Sequence, residues 1–335
     1  MSRKGRFSRR AAGGGLIALG VAILLALAGV WSYLGPGPKA KSGDVTTVEL
    51  ERGAGVGQIA ATLKESGAIG SSGLFAFAAR LTGAASQLKA GEYEFASGAS
   101  MASVLADVRA GKVVRRQITI PEGWTSGMAA DAVNAYPGLT GVAVEPPEGS
   151  ILPDTYQVRR GEDRGAVIQR MRDARDELLA ELWAGRQAGL PLSSPDQAVT
   201  LASIVEKETG VASERPRVAA VFVNRLRTGM MLQSDPTIIY GITKGRALGR
   251  GIRASELAAA TPYNTYRITG LPPTPIANPG RDALAAVLNP PKSDELYFVA
   301  DGSGGHAFAS TYEQHQANVV RWRQIERDRA GGTGR

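Results

Sequence analysis

The longest hydrophobic stretch of this chain lies near its start, where no charged side chain occurs between residues 11 and 34. A helix of that length reaches about 36 Å at roughly 1.5 Å per residue, which exceeds the roughly 30 Å hydrocarbon core of a bilayer. Trp31 and Tyr33 lie near its end, and such amphipathic rings favour the membrane interface. The pattern predicts a single transmembrane helix over residues 11–34.

The residues before this stretch are strongly basic and include no acid. Because Lys and Arg that flank a span stay in the cytoplasm, we expect a cytoplasmic tail over residues 1–10 and a single-pass anchor in the inner membrane. A cleaved signal peptide is the alternative, since Ala26-Leu27-Ala28 resembles a cleavage site. The apolar run continues beyond that site, which favours a retained anchor. Either interpretation exports the bulk of the chain.

A small α+β domain is predicted after a Pro/Gly/Lys linker at residues 35–44. We place this domain at residues 45–120, where Pro121 ends it. Short or alternating apolar runs predict strands at 45–50, 91–95 and 113–120. Apolar residues at helical spacing, together with the surrounding turn residues, predict helices at 56–66, 72–81 and 101–110.

A mostly helical connecting region is predicted at residues 121–194, followed by a second α+β domain at 195–328 and a disordered tail at 329–335. The second domain opens with a strong helix start: Ser194 can cap, Pro195 suits the first helical position, and Gln197 lies where a capping box places it. This helix continues to Thr209. The predicted fold class is α+β, with a transmembrane helix in front of the two domains.

The helix that starts at Pro195 contains the candidate catalytic residues. At roughly 100° per residue its side chains separate into two faces. The apolar stripe is Ala198, Leu201, Ala202 and Val205, and the opposite, wet side is predicted to hold Thr200, Ser203 and Lys207.

Two acidic residues, Glu206 and Glu208, flank the apolar stripe about 160° apart in this projection. They therefore cannot form a paired-carboxylate site by themselves. Glu208 projects between Leu201 and Ile204, a setting that would desolvate its carboxyl and raise its pKa. A raised pKa is what a general acid requires near neutral pH. The geometry of the helix also allows both residues to be solvated acids.

Composition excludes several classes of chemistry. The chain has no cysteine, only two histidines and no His-x-x-x-His pair. No cofactor and no metal site are therefore expected. A serine hydrolase is disfavoured because no Gly-x-Ser-x-Gly elbow occurs. The net charge of +8 falls to +3 without the basic start, so we expect no nucleic acid partner.

Residues 213–316 combine polar side chains with many Gly, Pro and aromatic residues. The segment LPPTPIANPG, residues 271–280, is too rich in proline for a helix or a central strand. Rigid loops that carry Gln, Asn, Ser and Tyr form polar grooves, which suit a ligand with many hydroxyl groups. The pattern favours a carbohydrate-binding groove.

Several long motifs, in order, closely resemble the MltG (YceG-type) endolytic murein transglycosylase family. The resemblance spans nearly the whole chain, including the basic start and the small α+β domain, whose KAGEYEF (89–95) resembles a LysM-like core strand. The other motifs are LASIVEKET (201–209), SERPRVAAVFVNRL (213–226), LQSDPTIIYG (232–241), TPYNTY (261–266), GLPPTPIANPG (270–280) and LYFVADGSGGHAF (296–308).

The resemblance implies a lytic transglycosylase that cuts peptidoglycan glycan strands and leaves 1,6-anhydro ends. It implies one catalytic Glu in the VEKET helix, which by position is Glu208, with Glu206 as the alternative. It also suggests work beside the peptidoglycan synthases of cell elongation. The arginines of residues 215–227 would then meet acidic stem peptides or solvent.

Five residues of the following motifs are candidates for binding the sugar or positioning Glu208. They are Gln233, Ser234, Asp235, Tyr263 and Asn264. Each could instead be structural, and Asp235-Pro236 in particular could initiate a turn. The competing function is a membrane-anchored scaffold that binds peptidoglycan without cutting it.

Overall fold

The computed structural model describes the backbone of residues 5–332 and the side chains of residues 19–329. It divides the chain into two compact units, residues 1–115 and residues 116–335. Both units combine helices with two-stranded antiparallel sheets. This confirms the predicted α+β class.

Helix α1 covers Gly5–Leu34. The predicted cytoplasmic tail and residues 11–18 of the predicted span lie outside the residues whose side chains are described. Among the described residues, no helix is both long enough and apolar enough to cross a membrane.

The rest of the first unit is a two-stranded sheet covered by three helices. Its elements are β1 (Val45–Leu50), α2 (Val56–Glu65), α3 (Ser72–Leu81), β2 (Gly91–Ala96) and α4 (Met101–Ala110). Strands β1 and β2 are antiparallel, with Val48 opposite Tyr93. Tyr93, Phe75 and Leu63 are fully buried in the core between the sheet and the helices.

The third strand predicted near residues 113–120 is shorter and pairs differently. Strand β3 covers Arg116–Thr119 and is antiparallel to β4 (Thr155–Val158), so it lies in the second unit. The reason is side-chain burial: Ile118 and Ile120 enter a core formed largely by residues 129–171. Alternation of apolar residues predicted a strand here but contained no information about its partner.

The second unit continues with helices and one further hairpin. Its elements are α5 (Ser126–Ala135), α6 (Arg164–Ala184), α7 (Pro195–Glu208), a 3₁₀ helix (Ala212–Glu214), α8 (Arg215–Thr228), α9 (Asp235–Thr243), α10 (Ala254–Ala258), α11 (Arg281–Leu288), β5 (Tyr297–Ala300), β6 (His306–Ala309) and α12 (Tyr312–Gly332). Helix α12 thus extends through residues 329–332, where a disordered tail was predicted. Residues 333–335 lie outside the described residues.

Helix α7 is the centre of the second unit and packs against α8 and α11. It begins as the sequence predicts, because the Ser194 hydroxyl accepts a hydrogen bond from the Gln197 N–H at 3.2 Å. The prediction of a wet face is wrong for Thr200 and Ser203, which are both buried. The Ser203 hydroxyl accepts a hydrogen bond from the Ile276 N–H at 3.0 Å, so a proline-rich loop covers this face.

Candidate active site

Glu208 is the last residue of α7, and its carboxyl meets the start of α9. The Ser234 hydroxyl donates a short hydrogen bond to Glu208 Oε1. Thr209 takes an extended conformation immediately afterwards, so the helix ends at the carboxyl itself. The negative end of the helix dipole lies there, which disfavours a carboxylate.

Ser234 is held rigidly by two buried threonines. Its N–H donates to Thr265 Oγ1 at 2.9 Å, and its carbonyl accepts from Thr237 Oγ1 at 2.7 Å. The two threonine hydroxyls are also 2.9 Å apart. Ser234, Thr237 and Thr265 are all fully buried. These contacts therefore orient the Ser234 hydroxyl toward Glu208.

The environment of Glu208 suits a proton donor at neutral pH. Burial raises the pKa of its carboxyl from 4.5 to about 7, and the charge of Asp235 acts in the same direction. The hydrogen bond from Ser234 and the charges of His306 and Arg225 act in the opposite direction and lower this pKa. The side chain keeps partial contact with solvent, so an acid that is half protonated near pH 7 remains accessible.

Glu206 points elsewhere and is occupied by an ion pair. Its Oε1 lies 3.2 Å from Arg215 Nη2, and its Oε2 accepts the Gly280 N–H at 2.9 Å. Arg215 also contacts Glu122 at 3.1 Å and Asp282 at 3.3 Å. The two glutamates thus point in different directions, as the helical spacing predicted. Glu206 forms a structural ion pair, and the carboxyl of Glu208 faces Ser234.

Gln233 and Asp235 flank Ser234 and expose their side chains. Gln233 has a φ of +51°, an unusual conformation for a residue with a side chain. Such strain is found preferentially at functional sites. Asp235 Oδ1 accepts a hydrogen bond from the Tyr266 hydroxyl at 2.7 Å. Three of the five candidate residues are therefore consecutive beside Glu208.

Tyr263 and Asn264 lie on the loop that follows α10. The Tyr263 hydroxyl lies 2.8 Å from Thr274 Oγ1, and its ring packs against Tyr240 at 5.1 Å between centroids. Asn264 is completely buried, and its amide donates to the carbonyls of Glu256, Leu257 and Ala259. These bonds shape the loop and leave the amide no free hydrogen for a ligand.

Several residues of the site were missed by reasoning from the sequence. Arg225 was expected at a surface, but it is buried and donates to the carbonyls of Leu232 at 2.6 Å and Leu296 at 2.7 Å. His306 lies 2.8 Å from Glu214, through Nδ1 and Oε2. Arg225 and His306 both occur in the motifs that carry the resemblance. Nothing in those motifs indicated the backbone contacts of Arg225 or the pairing of His306 with Glu214. Among the described residues, no group of three or more His, Asp or Glu could hold a metal ion.

The fold and the site define an α+β protein with a carboxyl of raised pKa at a helix end, which accepts a hydrogen bond from a buried serine and is bordered by polar loops. The chain belongs to the YceG-like family, whose sequence model matches residues 48–321. This confirms the resemblance found in the motifs.

Curated relatives carry one name. An endolytic murein transglycosylase of Streptococcus pneumoniae serotype 2 (strain D39) is 30% identical over 331 residues, which cover 84% of this chain and 59% of the relative. The chain thus spans about three fifths of the length of this relative. An endolytic murein transglycosylase of Bacillus subtilis (strain 168) is 28% identical, with 80% of this chain and 82% of the relative covered.

A solved structure is also similar. The crystal structure of a yceG-like protein from Listeria monocytogenes matches with a TM-score of 0.52 and 28% sequence identity. The match covers 82% of this chain and 99% of the other.

Proposed function

We propose that this protein is an endolytic lytic transglycosylase of peptidoglycan. It cleaves the bond between N-acetylmuramic acid and N-acetylglucosamine within glycan strands, and it closes the new end as a 1,6-anhydro sugar. The observation that carries the proposal is the single carboxyl of Glu208, whose pKa burial raises to about 7 and which a buried serine orients. The name shared by the streptococcal and bacillar relatives supports the same reaction.

One carboxyl is sufficient for this chemistry. Protonated Glu208 donates to the glycosidic oxygen as the bond to the muramic C1 breaks, which is general acid catalysis. The resulting carboxylate then takes the proton of the muramic C6 hydroxyl, whose oxygen bonds to C1 and closes the anhydro ring. A pKa near 7 suits both halves, because the group must give and regain a proton at the same pH.

The groove residues have separate roles in this proposal. Ser234 orients Glu208, while Gln233 and Asp235 face solvent beside it and bind sugar hydroxyl groups. Tyr263 contributes an aromatic surface to the same groove. Asn264 acts indirectly, because it holds the loop that carries Tyr263.

The location of the protein is part of the proposal. The basic start and the apolar stretch over residues 11–34 support a single-pass anchor in the inner membrane, with the N-terminus in the cytoplasm and both units outside it. We propose a LysM-like role in glycan binding for the first unit. Cleavage next to the membrane would act on nascent strands and limit their length beside the synthases that make them.

The test is product analysis by mass spectrometry after incubation with isolated glycan strands. The wild type should release fragments with 1,6-anhydro ends, and Glu208→Gln should release none while it retains a cooperative thermal transition. Glu206→Gln is the matched control. It should keep anhydro formation and lose stability, because its carboxylate serves an ion pair.

Other products would contradict the proposal in distinct ways. Reducing ends would indicate a hydrolase. Intact strands bound by the wild type would indicate the scaffold function. Normal activity of Glu208→Gln would remove Glu208 from the mechanism.

A further inference from the structure

A carboxylate and an imidazole form a pair within the second unit. Glu214 Oε1 accepts the backbone N–H of His306 at 2.9 Å, and Glu214 Oε2 lies 2.8 Å from His306 Nδ1. A carboxylate only accepts hydrogen bonds, so Nδ1 carries a proton, and in the neutral form of the ring Nε2 is then the free acceptor nitrogen. The same logic orients imidazoles in other acid–base sites.

The Glu214–His306 pair is packed against the hairpin of β5 and β6. A Cβ at Gly305 would lie 2.5 Å from Glu214 Oε1, so residue 305 has no room for a side chain. The imidazole lies against the rings of Phe298 and Phe308, at 5.3 and 6.3 Å between centroids. The hairpin of β5 and β6 thus presents His306 in one orientation.

The pair also borders the candidate active site. Thr209, which follows Glu208 directly, has its hydroxyl 3.5 Å from Glu214 Oε2. The protonated form of His306 would lower the pKa of the Glu208 carboxyl, so the ring lies within electrostatic reach of that carboxyl. About 17% of the His306 side chain remains exposed, and Nε2 makes no hydrogen bond within the described part of the chain. The one-carboxyl mechanism makes no use of this nitrogen.

The proposed reaction leaves a role for a second polar group. The leaving glycosidic oxygen and the incoming C6 oxygen occupy the same face of C1, so positive charge must develop on the sugar between the two events. The neighbouring acetamido oxygen can bond transiently to C1, as in substrate-assisted glycosidases. Its N–H then becomes more acidic, and a fixed acceptor beside it stabilises the developing charge.

We propose that His306, oriented by Glu214, accepts a hydrogen bond at Nε2 from the acetamido N–H of the muramic residue whose bond is cleaved. This inference rests on the proposed function. The Glu208 proton passes to the leaving oxygen while the acetamido oxygen bonds to C1. The C6 oxygen then replaces the acetamido oxygen, and its hydroxyl proton returns to Glu208. His306 is a catalytic residue in this scheme, and Glu214 is a positioning residue.

His306→Asn separates this role from a structural one. The Asn amide can keep a donor near the position of Nδ1 and so retain the bond to Glu214, but nothing replaces Nε2. We expect kcat for anhydro formation to fall roughly 10- to 100-fold, the effect of losing one hydrogen bond to a charged group. KM and the thermal midpoint should change little. His315→Asn, the same change at the only other histidine, should leave kcat at the wild-type level.

Glu214→Gln is the second variant, which keeps the size of the side chain and removes its charge. Its kcat should fall in the same direction, by less than that of His306→Asn. Wild-type kcat in both variants would show that the pair is structural and would overturn the inference, while the proposed function would stand. A wild type that forms no anhydro ends would instead overturn the proposed function. If His306→Asn does not fold, the kcat of Glu214→Gln decides.

Discussion

At the scale of single residues, the site depends on how differently the fold treats two glutamates only two positions apart. Burial raises the pKa of the Glu206 carboxyl as well, but this carboxyl is occupied within the structure, because it pairs with Arg215 at 3.2 Å. Glu208 has no such partner at that distance among the described residues, and burial raises its pKa to about 7. Because a buried carboxyl without a cation favours its protonated form, the second glutamate is the one suited to give a proton.

The pH dependence of cleavage follows from this pKa. In the proposed mechanism cleavage requires protonated Glu208, so kcat/KM should fall as the pH rises through about 7. The Ser234 hydroxyl stabilises the carboxylate and lowers the pKa. Ser234→Ala should therefore raise the pKa of Glu208 further. In a pH–rate profile of anhydro formation, the descending limb, where kcat/KM falls, should shift to higher pH.

The control for this prediction is Ser310→Ala, which removes another hydroxyl that donates to a carboxylate, that of Asp294 at 2.9 Å. It should leave the limb in place. A limb that stays unchanged in Ser234→Ala, or moves to lower pH, would contradict the electrostatic role given to Ser234.

At the scale of elements, α7 is a helix buried on all sides from Ala198 to Val205. Its apolar stripe packs against α8 and α11, and its polar side is covered by the loop that reaches Ile276. Ser203 connects helix and loop, because its hydroxyl also donates to the Thr200 carbonyl at 2.7 Å. The end of α7 is therefore fixed in position by contacts one and two turns away from Glu208.

Ser203→Ala should destabilise the second unit. The buried N–H of Ile276 would lose its acceptor, which costs roughly 1–3 kcal/mol in the free energy of unfolding. Urea denaturation followed by circular dichroism measures this change. Thr228→Ala, which removes an exposed hydroxyl bonded within its own helix, should change stability by less than about 0.5 kcal/mol. Equal stabilities of the two variants would contradict the role of Ser203.

At the scale of the whole molecule, each unit encloses its own core. The first unit buries the side chains between β1, β2 and its helices, and the second buries two clusters, around α7 and beside β3. Among residues 19–329, whose side chains are described, no core residue of one unit belongs to a cluster of the other. The proposed chemistry belongs to the second unit, since Glu208, Ser234, Glu214 and His306 all lie there.

The proposed anchor makes a prediction at this scale. In a bacterium that produces the full chain, the protein should remain in the membrane pellet after a high-salt wash, because apolar burial does not weaken in salt. A chain without residues 1–34 should appear in the soluble fraction. Recovery of the full chain in the soluble fraction would contradict the anchor.

The sequence alone is sufficient to predict the α+β class, most helix positions and the start of α7. These depend on local physics: side-chain periodicity, a capping serine and a proline at the first helical position. Its motifs also indicated the family, now confirmed over residues 48–321. The divergence of Glu206 and Glu208 followed from the helical period alone, without knowledge of what either residue contacts.

Which groups meet depends on the tertiary structure. Ser203 was predicted to be wet and is buried because a loop more than 70 residues away covers it. Strand β3 pairs with β4 in the second unit. The alternation of apolar and polar residues does not specify such a pairing. Arg225 and His306 likewise acquire their roles from distant backbone and side-chain partners. Burial and charge depend on neighbours that are remote in sequence, and they determine the proton affinity of Glu208.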